Sequence, residues 1–326
     1  MREAHLLALS KTNMRGPLVS VIIPNYNHAP YLHQRIQSVL EQTYPHFEVI
    51  LLDDCSTDDS AAVLDSYRGH EKVSHVVINE QNSGTTFKQW ARGIALAQGE
   101  WVWIAESDDW CEPTLLQNLV DGIQPNTSLA FCQSVTVRDN EVLWTSQPKA
   151  LACTRPGPGF VQENMLRNNV IFNSSMCIFR KANYYAIGSE FTSYRFCGDW
   201  LFWIALAQHG DVYESGRFLN YFRKHGADVS GPAYQNGLAY TEYVRLLDYL
   251  ADKRIIKADQ LEQLLLLKFQ ESIYDQRLRP ESKGAVAHLF YGRLGQALLS
   301  PAAYRVLGKK KFLQILLQKT FACRVI

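Results

Sequence analysis

The chain has 326 residues, more than one typical domain, with a hydrophobic share of 47% and a formal net charge of +1. That composition supports a real hydrophobic core and excludes an intrinsically disordered chain, while the balanced charge gives no global pull toward nucleic acid. Its seven cysteines are scattered and odd in number, with no C-x-x-C pair, so neither a zinc site nor a disulfide framework is indicated and reduced thiols are expected. No secretory signal is visible, and no run approaches the ~20 apolar residues a membrane helix needs. A cytoplasmic protein is expected, soluble or peripheral.

Residues up to Gly16 read as a loose leader. Val19 to Ile23 is a β-branched strand, predicted to stop at Pro24, and Asn25-Tyr26-Asn27-His28 forms the loop after it. Leu32, Ile36, Val39 and Leu40 then fall at helical spacing. Phe47 to Leu52 is a second buried strand, ending in Asp53-Asp54-Cys55-Ser56, and Asp58 can cap a helix through about Tyr67. Val73 to Ile78 is a third strand, followed by an Asn82-Ser83-Gly84 turn and a helix over Phe87 to Ala97. Trp101 to Ala105 is a short buried strand running into Glu106, Asp108 and Asp109. Close carboxylates of this kind ask for a cation or a set of donors.

Alternating strands and helices of this kind predict a doubly wound, mostly parallel α/β sheet with helices on both faces. Its polar loops at 24–28, 53–56 and 106–109 then share the carboxyl edge and one crevice. A helix over Pro113 to Ile123 and a strand over Leu129 to Val137 continue the layer, and 138–160 reads as loop, a floor to an acceptor site. Met176 to Phe179 and Leu219 to Phe222 are further strands, with a helix opening at Asp199 between them. Beyond about Pro232 the pattern is helical only.

Each of these residues has an ordinary reading by itself. Asp54 and Asp199 serve equally as helix caps, Tyr26 as a packed loop aromatic and His225 as a histidine with no ligand. Their joint order carries more. VSVIIPNYNHAPYL, FEVILLDDCSTDDS, NSG, ARGIALAQGEWVWIAESDDW and FCGDWLFW, in this sequence, resemble glycosyltransferase family 2 with its GT-A fold. The resemblance covers roughly residues 17 to 230 and implies a nucleotide-sugar-binding and catalytic domain there, with a helical C-terminal extension over 231–326.

Residue by residue, it implies that Pro24 and Tyr26 form the first nucleotide-binding loop, with the aromatic on the base. Asp54, beside Asp53, would accept from the base's ring N–H. Asp108 and Asp109 match the D-x-D-type motif, the former near the ribose and both at a divalent cation, Mn²⁺ or Mg²⁺, on the diphosphate. Asp199 matches the general base. His225, in FRKHGADVS, matches a segment closing over the diphosphate, with Arg223 and Lys224 assisting.

The implied reaction moves a sugar from a nucleoside-diphosphate sugar to a hydroxyl of a saccharide or lipid-linked acceptor in bacterial-type surface polysaccharide assembly. One base and no second nucleophile imply a single, inverting displacement. Two positions depart from the family: Trp90-Ala91 stands where an Arg-Asn pair is common, and Glu106 where many members have Asp. Trp110 and Trp144, in expected loops, are candidates for stacking on a sugar ring.

Two other readings stay open: a catalytically silent nucleotide-sugar binder in an assembly complex, and a nucleotidyltransferase. The latter usually carries a Gly-rich loop after the first strand, and PNYNHAP has none. Near the C-terminus, Lys309-Lys310-Lys311 beside Phe312, Ile315 and Leu316 reads either as a helix packed on its neighbours or as a peripheral contact with an anionic membrane face.

Overall fold

The computed structural model describes residues 16–226, 230–309 and Phe312. The leader before Gly16 and most of the basic-apolar tail lie outside them, and so does the reading made of that tail. The described chain packs as two compact units. One runs from the first described residue to Ser193 and resumes at Gly198–His225; the other comprises Tyr194–Cys197 and the chain from Gly226 on.

The first unit is built on a ten-stranded sheet, of the α/β class expected. Its strands are β1 Val19–Asn25, β2 Phe47–Asp53, β3 Val73–Ile78, β4 Trp101–Ile104, β5 Trp110–Cys111, β6 Thr127–Arg138, β7 Glu141–Thr145, β8 Ala152–Pro156, β9 Cys177–Arg180 and β10 Asp211–Arg223. The main path runs β3-β2-β1-β4-β9-β6-β10-β5, with β7 on β6 and β8 on β10. Strands β3, β2, β1 and β4 are all parallel, and β10 is parallel to β6. The remaining pairs, including β4 with β9, are antiparallel.

Strands β1 and β2 are buried along their whole length, as suits strands covered on both faces. The helices between them are α1 Ala29–Leu40, α2 Ser60–Asp65 and α3 Thr86–Leu96, followed by α4 Leu115–Asp121 and α5 Gly198–Ala207. Helix α1 opens on a proline, whose missing N–H is no loss in a first turn, and buries Leu32, Ile36 and Val39. Thr85 caps α3 by accepting from the Lys88 amide. Helix α3 sits so close to β1 that a Cβ on Gly93 would lie 2.4 Å from the Ile22 side chain. The aromatic face of α5 is core: Trp203 and Phe202 are fully buried.

Three details differ from the sequence reading. Pro24 does not end β1 but lies within it, opposite Leu52. The Ile22 carbonyl bonds Ala105 on the β4 side and the Asn25 carbonyl bonds Asp54 on the β2 side, so the Pro24 nitrogen faces β4. There β4 has already ended at Ile104, and no ladder bond is lost. The stretch 138–160 holds two edge strands, β7 and β8, whose exposed residues show no buried periodicity. Strand β10 begins at Asp211 rather than Leu219, its register broken between Glu214 and Phe218 around a polar Ser-Gly-Arg stretch that hides the strand pattern.

The second unit is helical: α6 Leu238–Asp252, α7 Ala258–Tyr274 and α8 Pro280–Leu294. Leu246, Leu247, Leu250, Leu266, Phe269 and Phe290 form its core. Buried Glu242 accepts from the amides of Arg195, Phe196 and Cys197, each at 2.8 Å. Among the described residues no helix is long and apolar enough to cross a membrane.

Candidate active site

Because β1, β2 and β4 run parallel, their carboxyl ends deliver the three polar loops to one edge of the sheet. At the end of β1, Pro24 is buried in the strand and Tyr26 is exposed. Asp53 is fully buried, accepting from Asn25 Nδ2 at 2.7 Å and from the Ser56 amide at 2.8 Å. Asp54 gathers four donors: Asn79 Nδ2, Gln89 Nε2 and the Ser83 amide on Oδ1, and the Ser83 hydroxyl at 2.7 Å on Oδ2.

At the end of β4 the two neighbouring aspartates face different surroundings. Asp108 Oδ2 meets His225 Nε2 at 2.9 Å, and its carbonyl accepts from Arg223 Nε at 2.7 Å. His28, from the β1 loop, completes a cluster with Asp108 and His225 in which the ligand atoms lie within 4.8 Å of one another. Burial alone would raise the Asp108 carboxyl. The bond from His225 and the charges of the two histidines outweigh it and hold the group below the usual range. Burial pushes the His28 imidazole down, against the pull of the Asp108 charge. Its Nδ1 pairs with the Ser107 hydroxyl at 2.8 Å, which orients the ring. An ionised carboxylate and two imidazoles form a mixed nitrogen and oxygen donor set, which suits a first-row divalent cation such as Mn²⁺ better than Mg²⁺, whose preferred ligands are all oxygen.

Asp109 is fully buried and hydrogen-bonded within the protein. Its Oδ2 accepts from Asn173 Nδ2 at 2.8 Å and Ser175 Oγ at 2.7 Å, and its Oδ1 from the Arg223 amide at 3.0 Å. Burial first, and then the charge of Asp108, push its carboxyl up to about 6. In this arrangement Asp108 is the carboxylate that faces the histidines, and Asp109 ties the loop to β10 and to the segment before β9.

Glu106 and Trp90, the two departures from the family pattern, meet: Trp90 Nε1 donates to Glu106 Oε1 at 3.0 Å. Ser174 donates to the same oxygen, and burial pushes the Glu106 carboxyl up to about 8. Arg223 is equally committed. Its guanidinium bonds Gln34 at 2.6 Å and lies over the rings of Tyr31 and Trp110, so it braces the loop. Lys224 lies over the Phe222 ring. Trp110 is itself stacked on Tyr221 at 4.9 Å, whereas Trp144 on edge strand β7 is half exposed.

Asp199 sits in the first turn of α5, half-buried, with Oδ2 accepting from Asn169 Nδ2 at 3.1 Å. One stretch therefore reaches both acids: Asn169 touches Asp199, while Asn173 and Ser175 touch Asp109. Sequence reading passed over this Asn-Asn-Val-Ile-Phe-Asn-Ser-Ser segment and Arg35, and placed His28 in the crevice loop without giving it a role. Arg35 is wholly buried in α1, and its Nε donates to the Glu106 carbonyl at 2.8 Å. For the segment, the signal available was the clustering of amide and hydroxyl side chains just before a strand.

Comparison with known proteins points to a family. The family model described as Glycosyl transferase family 2 matches residues 20–187. Over 118 residues the chain is 41% identical to a putative teichuronic acid biosynthesis glycosyltransferase, TuaG, of Bacillus subtilis, covering 35% of this chain and 46% of that protein. It is 34% identical over 107 residues to the glycosyltransferase GlyG of Streptococcus pneumoniae, covering 33% of this chain and 35% of that one. The matched stretches thus span less than half the length of these curated relatives. A crystal structure of Staphylococcus aureus TarS 1-349 in complex with UDP-GlcNAc shares the fold, with a TM-score of 0.54 at 21% identity over 91% of this chain and 80% of that one. The order of motifs, the parallel strands that gather them and the matching family model lead to one conclusion: the chain belongs to glycosyl transferase family 2.

Proposed function

We propose that the chain transfers a sugar from a nucleoside-diphosphate sugar to a hydroxyl of a saccharide or lipid-linked acceptor, by a single inverting displacement assisted by a divalent cation. The observation that carries this reading is the His28, Asp108 and His225 cluster at the carboxyl end of β4, in a chain of this family. A bound cation would neutralise charge developing on the diphosphate leaving group. Around it the chain's own residues have separate tasks: Asp108 and the two histidines would hold the ion, Tyr26 would pack on the base and Asp54 would take its ring N–H. Asp109, Arg223 and Arg35 keep the acidic loop in place. Asp199, held by Asn169, takes the proton of the attacking hydroxyl.

Supporting the donor class, the structural neighbour TarS is described in complex with UDP-GlcNAc, and the TuaG relative is named for teichuronic acid biosynthesis. The test is release of free nucleoside diphosphate from a panel of UDP-, GDP- and dTDP-sugars, with Mn²⁺ and with excess chelator. Release that needs the metal is expected. Binding of donors with no release under any condition would instead mark a silent nucleotide-sugar binder.

A further inference from the structure

A cavity of about 330 Å³, at the lower end of the ~300–1,000 Å³ typical of small-molecule sites, opens beside β6, β7, β8 and β10. Nothing assigned so far to donor or cation lies in its wall. One side is aromatic: Trp144 and Phe172 stand 4.7 Å apart, and Trp144 keeps nearly half its surface, 47%, exposed. The other side is polar. Arg155 bonds Glu214 at 2.5 Å and faces Glu163 at 3.8 Å, and Gln133 donates to Glu214 at 3.3 Å. Asn169 also lines it, and Asn169 donates to Asp199. The cavity is therefore one side chain away from the carboxylate read as the base.

The lining chooses between ligand classes. A phosphate or diphosphate needs free cations, but Arg155 is shared between two carboxylates, and the charges of Arg155 and Lys149 are matched by Glu163 and Glu214. A lipid chain needs a dry wall, and here amides and carboxylates make up one side. A sugar needs both kinds of surface at once. Its C–H face packs on an aromatic ring, and its hydroxyls, each donor and acceptor, pair with amides and carboxylates.

We propose that this cavity binds the uncharged end of a saccharide acceptor, with Trp144 as its stacking platform, and presents a hydroxyl toward Asp199. The role of that hydroxyl rests on the glycosyl-transfer reading above; the binding of the saccharide does not. The same geometry makes the stretch 138–160, with its edge strands, the element that shapes the acceptor end of the site.

The experiment measures binding of four probes to the whole chain by ligand-observed saturation-transfer NMR, alone and with UDP or GDP plus Mn²⁺. They are methyl β-glucoside, methyl β-galactoside, methyl N-acetyl-β-glucosaminide and methyl β-glucuronide. At least one neutral glycoside should bind, more tightly than the glucuronide. Trp144→Ala should weaken it by about tenfold, the scale of a lost aromatic contact, whereas Trp144→Phe should retain most of the affinity. Tyr274→Ala, which removes an exposed aromatic of the helical unit, should change nothing. No binding of any neutral glycoside, binding that survives Trp144→Ala, or preference for the glucuronide would each overturn the proposal. Nucleotide release from the donor panel, measured on the same wild-type protein, separates the two readings. Release without glycoside binding sinks the cavity alone. Trp144-dependent glycoside binding without release upholds the saccharide site and removes the transferase reading.

Discussion

Removing the Asp109 carboxylate leaves three donors, Asn173 Nδ2, Ser175 Oγ and the Arg223 amide, without their acceptor in a buried place. Asp109→Ala should therefore cost about 1–3 kcal/mol of stability, the usual penalty for stranded buried polar groups, read as a lower urea midpoint. Asp108→Asn meets a different environment. It should unfold like the wild type while losing Mn²⁺ binding, followed by the ion's paramagnetic resonance, and with it metal-dependent nucleotide release. If both substitutions cost only stability, the cation site is elsewhere. Asp199→Asn keeps the size of the side chain but cannot take a proton. Turnover should fall by about 10²–10⁴ with donor affinity nearly unchanged. A parallel collapse of donor affinity would make Asp199 a donor ligand.

Helix α3 connects core and site. Its Gly93 lies against Ile22 of β1, its Gln89 donates to Asp54 and its Trp90 donates to Glu106. Gly93→Val puts a branched side chain where even a Cβ would sit 2.4 Å from Ile22, so α3 has to move outward. A loss of about 1–3 kcal/mol is expected, the cost of overpacking, together with weaker donor binding, because both acid loops lose a bracing bond. Unchanged urea midpoint and unchanged nucleotide titration would show that α3 is free to shift. The segment between Asn169 and Ser175 acts at the same scale, holding Asp199 at one end and Asp109 at the other.

Acid stability should depend on one carboxylate of the helical unit. In the helical unit Asp275, with a side chain only 5% exposed, accepts from Tyr240 at 2.6 Å and from Arg277 at 2.9 Å. Burial alone would raise its carboxyl, but the bonds from Arg277 and Tyr240 outweigh it and hold the group down to about 2. An unfolded aspartate titrates near ~3.9, so the folded value is depressed. The stability this contributes is full above about pH 4 and is lost as pH falls toward about 2. Asp275→Asn should remove that acid-limb slope from melting curves of the whole chain and leave the neutral range nearly flat. An unaltered slope would mean that other carboxylates govern acid unfolding.

Much of the molecule was legible one residue at a time. Parallel strands covered on both faces need continuous apolar runs, so β1, β2 and β4 announce themselves, and the polar residues just after them belong to the carboxyl edge where ligands bind. That local logic, with the motif order, led to the α/β class and the family. Edge strands β7 and β8 lack a buried face and so left no pattern, and Pro24 looked like a strand end because whether its nitrogen needs a partner depends on where β4 stops. Only the tertiary structure decided which of two adjacent aspartates meets the histidines and which is consumed by Asn173 and Ser175. It also brought together Trp90 and Glu106, and Asn169 and Asp199. Such pairings join residues far apart in the chain, and sequence periodicity reports which face a residue is on, not which distant side chain will share it.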